Sequence, residues 1–269
     1  MKRILTNFPN YFLPTILLAA SLLFSCKNEP GKTETATPVV LESVKVNKKE
    51  GTDCDKGEDF QNKCAEVSLS YPSVKTGNDA LKKAVEDWSM QFITGTLNPA
   101  ISTEDGPVSM PIDSAMQAFF QFHKEATVDM PEGPGYFTVE VIDTVLLNDG
   151  KRLTLKLDSY SYMGGAHPNS YSNVATFDVA TGSIVKLENL VTDLNKLESL
   201  ALAKFKVEKA DAFAEGFEFT PDWPFALAAN TGVTDIGIYF CYNPYEVTPY
   251  ALGYTEFVLT FEELKDILK

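Results

Sequence analysis

Among the side chains able to do chemistry, His167 stands out first, in the run Gly164-Gly165-Ala166-His167-Pro168-Asn169. An imidazole in a glycine-rich loop could act as a general base or ligate a metal near neutral pH. A metal would need partners, and the nearest acidic residue upstream is Asp158. The other histidine, His123, falls on the inner stripe of a predicted helix and reads as core. The competing and favoured reading is architectural. Gly164-Gly165 makes a tight turn, and His167 hydrogen-bonds the backbone where two strands connect.

Hydrolytic constellations are missing from the sequence. It has no Gly-x-Ser-x-Gly elbow, no His-Glu-x-x-His and no phosphate-cradling Gly-x-x-x-x-Gly-Lys-Ser/Thr loop. With 37 acidic residues, any carboxylate pair chosen for glycoside hydrolysis would be arbitrary. No catalytic residue, metal ligand set or cofactor is therefore assigned. Tyrosines are the better binding candidates, because exposed rings stack on sugar faces and anchor protein interfaces. Tyr239, Tyr242, Tyr245, Tyr250 and Tyr254 crowd one region, with Tyr160 and Tyr162 beside the Gly-Gly loop. Most of these should cover core. Tyr245 and Tyr250 flank turns, where outward projection is expected. Together with His167 and Asn169 they make up the candidate ligand-binding set.

Four cysteines carry further chemistry. Cys54 and Cys64 flank a short polar loop that closes easily into a disulfide in an oxidising compartment. No second pair or nearby histidine completes a metal set there. Cys241 lies in the apolar run Ile236 to Tyr242 and reads as a buried free thiol. Cys26 follows a basic start at Lys2-Arg3 and an apolar stretch from Tyr11 to Ser25. That order is the pattern of a secretory signal. The stretch is short of the roughly 20 apolar residues that span a bilayer. Leu23-Phe24-Ser25-Cys26 resembles the bacterial lipobox, after which signal peptidase II cuts and Cys26 is lipidated, with palmitate among the expected chains. The expected location is the cell envelope, with the protein held to the membrane through Cys26.

Cleavage after Ser25 would remove two of 23 basic residues and no acidic one, taking the net charge from −14 to −16. A polyanion needs basic partners, so nucleic acid is excluded as a ligand. Electrostatic adhesion to anionic lipid is excluded on the same ground, which leaves the anchor covalent. An acidic surface could speed encounters with a basic partner, although solubility alone explains it as well.

The elements that must position these residues follow from periodicity. The full chain is 44% hydrophobic with 18 Phe, and the roughly 240 mature residues suit one large or two small domains. Residues 26–50 are rich in Lys, Glu, Thr and Pro and read as a flexible tether. A strand follows over 65–71, stopped by Pro72. A helix capped by Asn78 or Asp79 carries Leu81, Val85, Trp88, Phe92 and Ile93, and a second starts at Asp113 or Ser114. Alternation marks strands at 137–141, 153–157, 171–179 and 184–187, with Asn148-Asp149-Gly150 a hairpin turn. Tyr160 and Tyr162 break the parity of Leu153, Leu155 and Leu157, which implies a bulge or a strand apolar on both faces. Thr192 or Asp193 caps a further helix, and strands at 236–242 and 257–261 precede a short terminal helix.

Beyond periodicity, Tyr162-Met163-Gly164-Gly165-Ala166-His167-Pro168-Asn169 resembles the signature of an exported family of unknown function, DUF3298. That family includes the extracellular part of the lysozyme-sensing anti-sigma factor RsiV and non-catalytic segments beside peptidoglycan deacetylases of the PdaC type. Tyr239-Phe240-Cys241-Tyr242-Asn243-Pro244-Tyr245-Glu246 is similar to its aromatic Asn-Pro-Tyr strand end. Pro249-Tyr250-Ala251-Leu252-Gly253 and Phe261-Glu262-Glu263-Leu264 fit as well. The likeness runs from about Tyr160 to the C-terminus, preceded by a DUF4163-like lobe, in what resembles a Bacteroidetes-like lipoprotein. Few residues could face the cytoplasm, so no sigma-binding segment is expected, and the deacetylase's metal-binding motifs are missing. What the resemblance implies is a ligand-binding ectodomain for a lysozyme-like basic protein or for peptidoglycan.

The fold expected is α+β, as two small lobes with mixed or antiparallel sheets and packed helices. Its divisions are a signal peptide at 1–25, the tether at 26–50, an N-terminal lobe at 51–150 and a C-terminal domain at 151–269. The function expected is non-catalytic binding of a protein or glycan at the envelope. The alternative is a glycan or cell-wall hydrolase using His167.

Overall fold

The computed structural model describes residues 37–56, 61–98, 110–129, 133 and 135–269. The signal peptide, Cys26 and the start of the tether lie outside them. All described elements belong to one compact unit.

Five strands form a mixed sheet in the order β1 (Leu41–Gly51), β2 (Cys64–Val74), β3 (Tyr136–Asn148), β4 (Arg152–Tyr162) and β5 (Asn169–Asp178). Only the β2–β3 pair is parallel, and its crossover carries α1 (Asp79–Leu97) and α2 (Ile112–Asp129). Asn78 caps α1, its side chain accepting from the Leu81 N–H. The two helices lay Leu81, Val85, Trp88, Ile93, Met116 and Phe119 on one face of the sheet. Opposite them stand the inward residues of the strands, among them Val67, Leu69, Val139, Leu153, Leu155 and Phe177. His123 is core, as expected. Its Nε2 lies 2.8 Å from the Gly135 carbonyl, and its ring stands edge-on to Phe137.

After β5 come α3 (Leu187–Leu190), α4 (Leu194–Glu208) and α5 (Ala210–Ala214). A second, antiparallel sheet of β6 (Asn230–Val233), β7 (Gly237–Tyr242) and β8 (Thr255–Thr260) follows, then α6 (Phe261–Leu264). Asp193 caps α4 through the Lys196 N–H. Leu197, Ala201 and Phe205 of that helix pack on Ile238, Phe240, Tyr242, Phe257 and Leu259, forming a second core. The fold is α+β, with two cores rather than one.

Four expectations need correction. The tether does not extend to residue 50, because β1 begins at Leu41 and pairs with β2 along its whole length. Val39 is already fixed, its N–H and C=O both bonded to the side-chain amide of Asn148. Nor does Pro72 stop its strand. The Lys75 N–H points to Val40 of the preceding segment, so by parity the N–H that Pro72 lacks would face away from β1. On that side pairing with β3 has ended at Leu69. Third, the predicted strand at 184–187 reduces to a single bridge between Phe177 and Ile184. The boundary placed between 150 and 151 falls in the turn of the β3–β4 hairpin, inside the five-stranded sheet. The sequence at Leu187 instead separates the two cores.

The parity break at Tyr160 and Tyr162 resolves as a strand used on both faces. Pairing of β4 is regular there, and the bulge sits in β3 at Val145–Leu147. The second face of β4 is covered at Thr154 by β6. Thr154 donates to the Val233 carbonyl at 2.6 Å, and the Thr176 hydroxyl, 2.9 Å from Thr154, accepts from the Val233 N–H. A Cβ on Gly232 would lie 2.6 Å from Thr154 Cγ2, so only glycine lets β6 cross so closely.

Candidate functional site

His167 sits in the connection between β4 and β5, where Gly164 takes a positive φ of 80°. Its Nδ1 lies 2.8 Å from the Pro168 carbonyl, which can only accept, so Nδ1 is the donor. The Tyr250 hydroxyl donates to that same carbonyl at 2.8 Å. The rings of His167 and Tyr250 stack with centroids 4.1 Å apart and planes 27° from parallel. Tyr245 lies against the far side of the group, 5.7 Å from Tyr250. Three of the four candidate binding residues thus form one aromatic ladder. Tyr245 is also the only non-glycine with a positive φ (70°) among the described residues, and it is 54% exposed. Holding that conformation costs about 1 kcal/mol or more, which fits a ring held outward for contact.

Asn243, just before Tyr245, has a different task. Its side-chain amide accepts from the Ser172 N–H at 2.7 Å and donates to the Ser172 carbonyl at 3.0 Å. Those groups lie on the side of β5 away from β4, so the amide stands in for a neighbouring strand and closes that edge. Asn230 adds a second bond there, accepting from Val174. Glu246 braces the turn by accepting from the backbone N–H groups of Asn243 and Ala229.

Asn169, the fourth candidate, and His167 line a cleft of about 1010 Å³ between α1 and the β4–β5 side of the first sheet. Trp88, Phe92 and Met163 give it apolar surface, while Gln91, Ser161 and Asn173 add amides and a hydroxyl. No lining residue is charged, although the chain carries a net −14. Apolar faces with a few fixed polar groups are what a small-ligand site requires.

Residues 185–262 match the family described as a protein of unknown function, DUF3298, and residues 58–170 match the family described as deacetylase PdaC. The chain belongs to the DUF3298/PdaC-like family. Its fold is similar to that of a DUF3298 family member from Bacteroides fragilis, with 19% identity and a TM-score of 0.63 over 88% of this chain and 96% of that one. A DUF3298 family protein from Pseudomonas aeruginosa is also similar, with 17% identity and a TM-score of 0.55 over 87% and 96% of the two chains. No curated protein matches. In this DUF3298/PdaC-like protein the two matched regions meet at the ladder. His167 belongs to the PdaC match, and Tyr245 and Tyr250 belong to the DUF3298 match. The Gly-Gly-Ala-His-Pro-Asn run therefore lies upstream of the DUF3298 match.

The Cys54–Cys64 disulfide forms as expected, and Cys241 is a buried free thiol. Among the described residues no group of three or more His, Cys, Asp or Glu is arranged to hold a metal, and no helix is long and apolar enough to cross a membrane.

Periodicity missed a second polar constellation in this family member. Lys156 and Asp158 alternate with leucines in β4 and read as a solvated face. In the fold, Lys156 is nearly buried under β8, with Nζ 2.6 Å from Glu256 Oε1 and 3.1 Å from Asp158 Oδ1. Tyr239 donates to the same Glu256 oxygen at 2.7 Å, and Ser172 donates to Asp158 Oδ1. Burial pushes the Lys156 ammonium toward neutrality, but its two carboxylate partners outweigh this and hold it above the usual lysine range. Burial likewise works against the Glu256 anion, and the bonds from Lys156 and Tyr239 bring it below the usual carboxylate range. Beside them, burial raises the Cys241 thiol to about 12 and keeps it protonated. The missing signal was tertiary, since nothing in β4 itself announces that a second sheet packs there.

Proposed function

We propose that this chain is a non-catalytic, lipid-anchored envelope protein that binds an uncharged glycan of peptidoglycan type in the cleft beside His167. The observation that carries the reading is the lining, which pairs aromatic surface with amides and hydroxyls and holds no charge in a strongly acidic chain. Sugar rings offer apolar faces for stacking and hydroxyl edges for such polar groups. The ladder of His167, Tyr250 and Tyr245 extends aromatic surface from the cleft's rim.

A hydrolase using His167 has less support. Its Nδ1 is engaged by a backbone carbonyl, and no carboxylate bonds its ring among the described residues. Binding of a lysozyme-like basic protein draws support from the net charge, and it would use a surface other than the uncharged cleft.

Ionic strength separates these readings. The mature chain carrying Cys26→Ser should co-sediment with purified peptidoglycan sacculi equally at 50 and 500 mM salt, values on the order of a tenfold range that screens surface charge strongly. Asn169→Ala together with Tyr250→Ala should weaken it about tenfold or more. Failure to sediment, or retention lost at high salt, would overturn the glycan assignment. Hydrolysis of sacculi that His167→Ala abolishes would favour the enzyme instead. The anchor is tested separately by palmitate labelling, expected in the native chain and absent from Cys26→Ser.

A further inference from the structure

The braced carboxylates on the other face of the five-stranded sheet open onto a pocket of about 320 Å³, lined by β3, β4, β5 and the start of β8. It is separate in character from the uncharged cleft. Glu140, Asp158 and Glu256 face one cation, Lys156, so the lining carries a formal net charge of −2. Lys156 does not neutralise the rest, because it is taken up by one oxygen of Asp158 and one of Glu256. Those same two oxygens also receive the Ser172 and Tyr239 hydroxyls. The second oxygen of each carboxylate accepts no hydrogen bond among the described residues, while their side chains are 38% and 40% exposed. Both carboxylates have their orientation fixed from behind.

Flanking the carboxylates are two large side chains that a solvated strand face would not need. Ile142 is 48% exposed and pairs across the ladder with Asp158. Tyr160 is 42% exposed and pairs with Glu140. Apolar and aromatic surface therefore alternates with anionic groups around one concavity. A neutral sugar would leave those anions unmatched, and an anion would be repelled. A metal ion would need its carboxylates to converge, and among the described residues no three acidic, histidine or cysteine groups do so. A primary ammonium on a short aliphatic stem meets every requirement. Its N–H groups bond dispersed carboxylate oxygens, its charge faces the Tyr160 ring, and its methylenes cover Ile142.

We propose that this pocket binds an alkylammonium group, the chemistry of a lysine-type side chain, whether on a free small molecule or on a basic polypeptide. The assignment does not depend on glycan binding in the cleft.

The test uses the mature chain with Cys26→Ser, followed by heteronuclear NMR. Titration with n-butylammonium and with Nα-acetyl-lysine amide should shift resonances of β4 and β8, more weakly as salt rises. The Nε-acetylated analogue, which has lost the charge, should not. Glu140→Gln and Tyr160→Ala touch neither Lys156 nor its partners, so the brace stays intact, and each should weaken binding about tenfold. Asn169→Ala in the cleft should leave it unchanged. A tri-lysine peptide that binds about tenfold or more tightly than the single amine identifies a polypeptide source. Equal affinity per amine identifies a small molecule. Shifts of the same size with the acetylated analogue, no shifts with either amine, or displacement of the amine by millimolar calcium would each overturn the assignment.

Discussion

Replacing Asn243 with alanine removes the amide that closes the edge of β5. Two hydrogen bonds go, and the Ser172 N–H and C=O lose their partners at a residue only 3% exposed. Each buried polar group left unsatisfied costs about 1–3 kcal/mol. Asn243 itself is 9% exposed, so water can reach part of the space vacated, which favours the lower half of that range. The expected loss is about 2–4 kcal/mol, read as the shift in urea midpoint at constant slope. For a unit of this size that corresponds to a fall in melting temperature of roughly 5–12 °C. Asn243→Asp sharpens the reasoning. An aspartate can still accept from the Ser172 N–H, but it sets a carboxylate oxygen against the Ser172 carbonyl. At neutral pH it should be at least as damaging as alanine, and it should recover relative to alanine once acid protonates the new carboxyl and lets it donate. A loss below about 0.5 kcal/mol for Asn243→Ala, within the range of ordinary surface changes, would refute the view that this amide substitutes for a strand.

Removing the disulfide by Cys54→Ser should cost about 2–3 kcal/mol, since it closes a loop with a sequence separation of 10. Reductant should lower the wild-type melting temperature by a similar amount and leave the variant unaffected. Gly237→Ala should destabilise by about 2–3 kcal/mol or abolish soluble expression, because its Cβ would lie 2.1 Å from the Leu259 carbonyl of the paired strand. Glu256 should make stability pH-dependent. Its folded pKa lies below the unfolded one, so its contribution is complete above the ordinary carboxylate value of about 4.3 and is lost as pH falls through the folded value. The gap in urea midpoint between wild type and Glu256→Gln should therefore be widest at neutral pH and narrow below about pH 4. A gap that widens in acid would reverse the sign of the linkage.

What periodicity reads is burial of one face at a time. Where a strand or helix buries a single apolar stripe, as in α1, α4 and the leucines of β4, elements and caps were legible to within a few residues. β1 escaped because nearly all its side chains are exposed, so its lysines and glutamates show no contrast between faces. Its strand character comes from backbone pairing with β2, which leaves no mark on side-chain pattern. The candidate site was partly legible, since His167, Tyr250 and Tyr245 do meet, but their cleft partners on α1 could not be read from a loop motif. Lys156 and Glu256 escaped for the opposite reason. Both look like surface because they are charged, and Lys156 is nearly buried because β8 of the second sheet, which carries Glu256, lies over it.

The same reasoning reassigns the Asn-Pro-Tyr turn. Its asparagine ties β5 to the second core, and its tyrosine, held at a positive φ, faces outward. Asn148, at the end of the central strand β3, makes the same two-bond contact with Val39, just ahead of the edge strand β1. An asparagine amide can present one N–H and its oxygen side by side, much as a strand does, so it can terminate a sheet where a further strand would otherwise have to be added. In this chain that device fixes β5 beside the cleft, while the ring of Tyr245 faces outward. A sequence signature can therefore hold a structural residue and a candidate binding residue two positions apart, and only substitution of each in turn separates them. Asn243→Ala should lower stability, whereas Tyr245→Ala, which keeps the Cβ that strains the backbone, should lower only affinity.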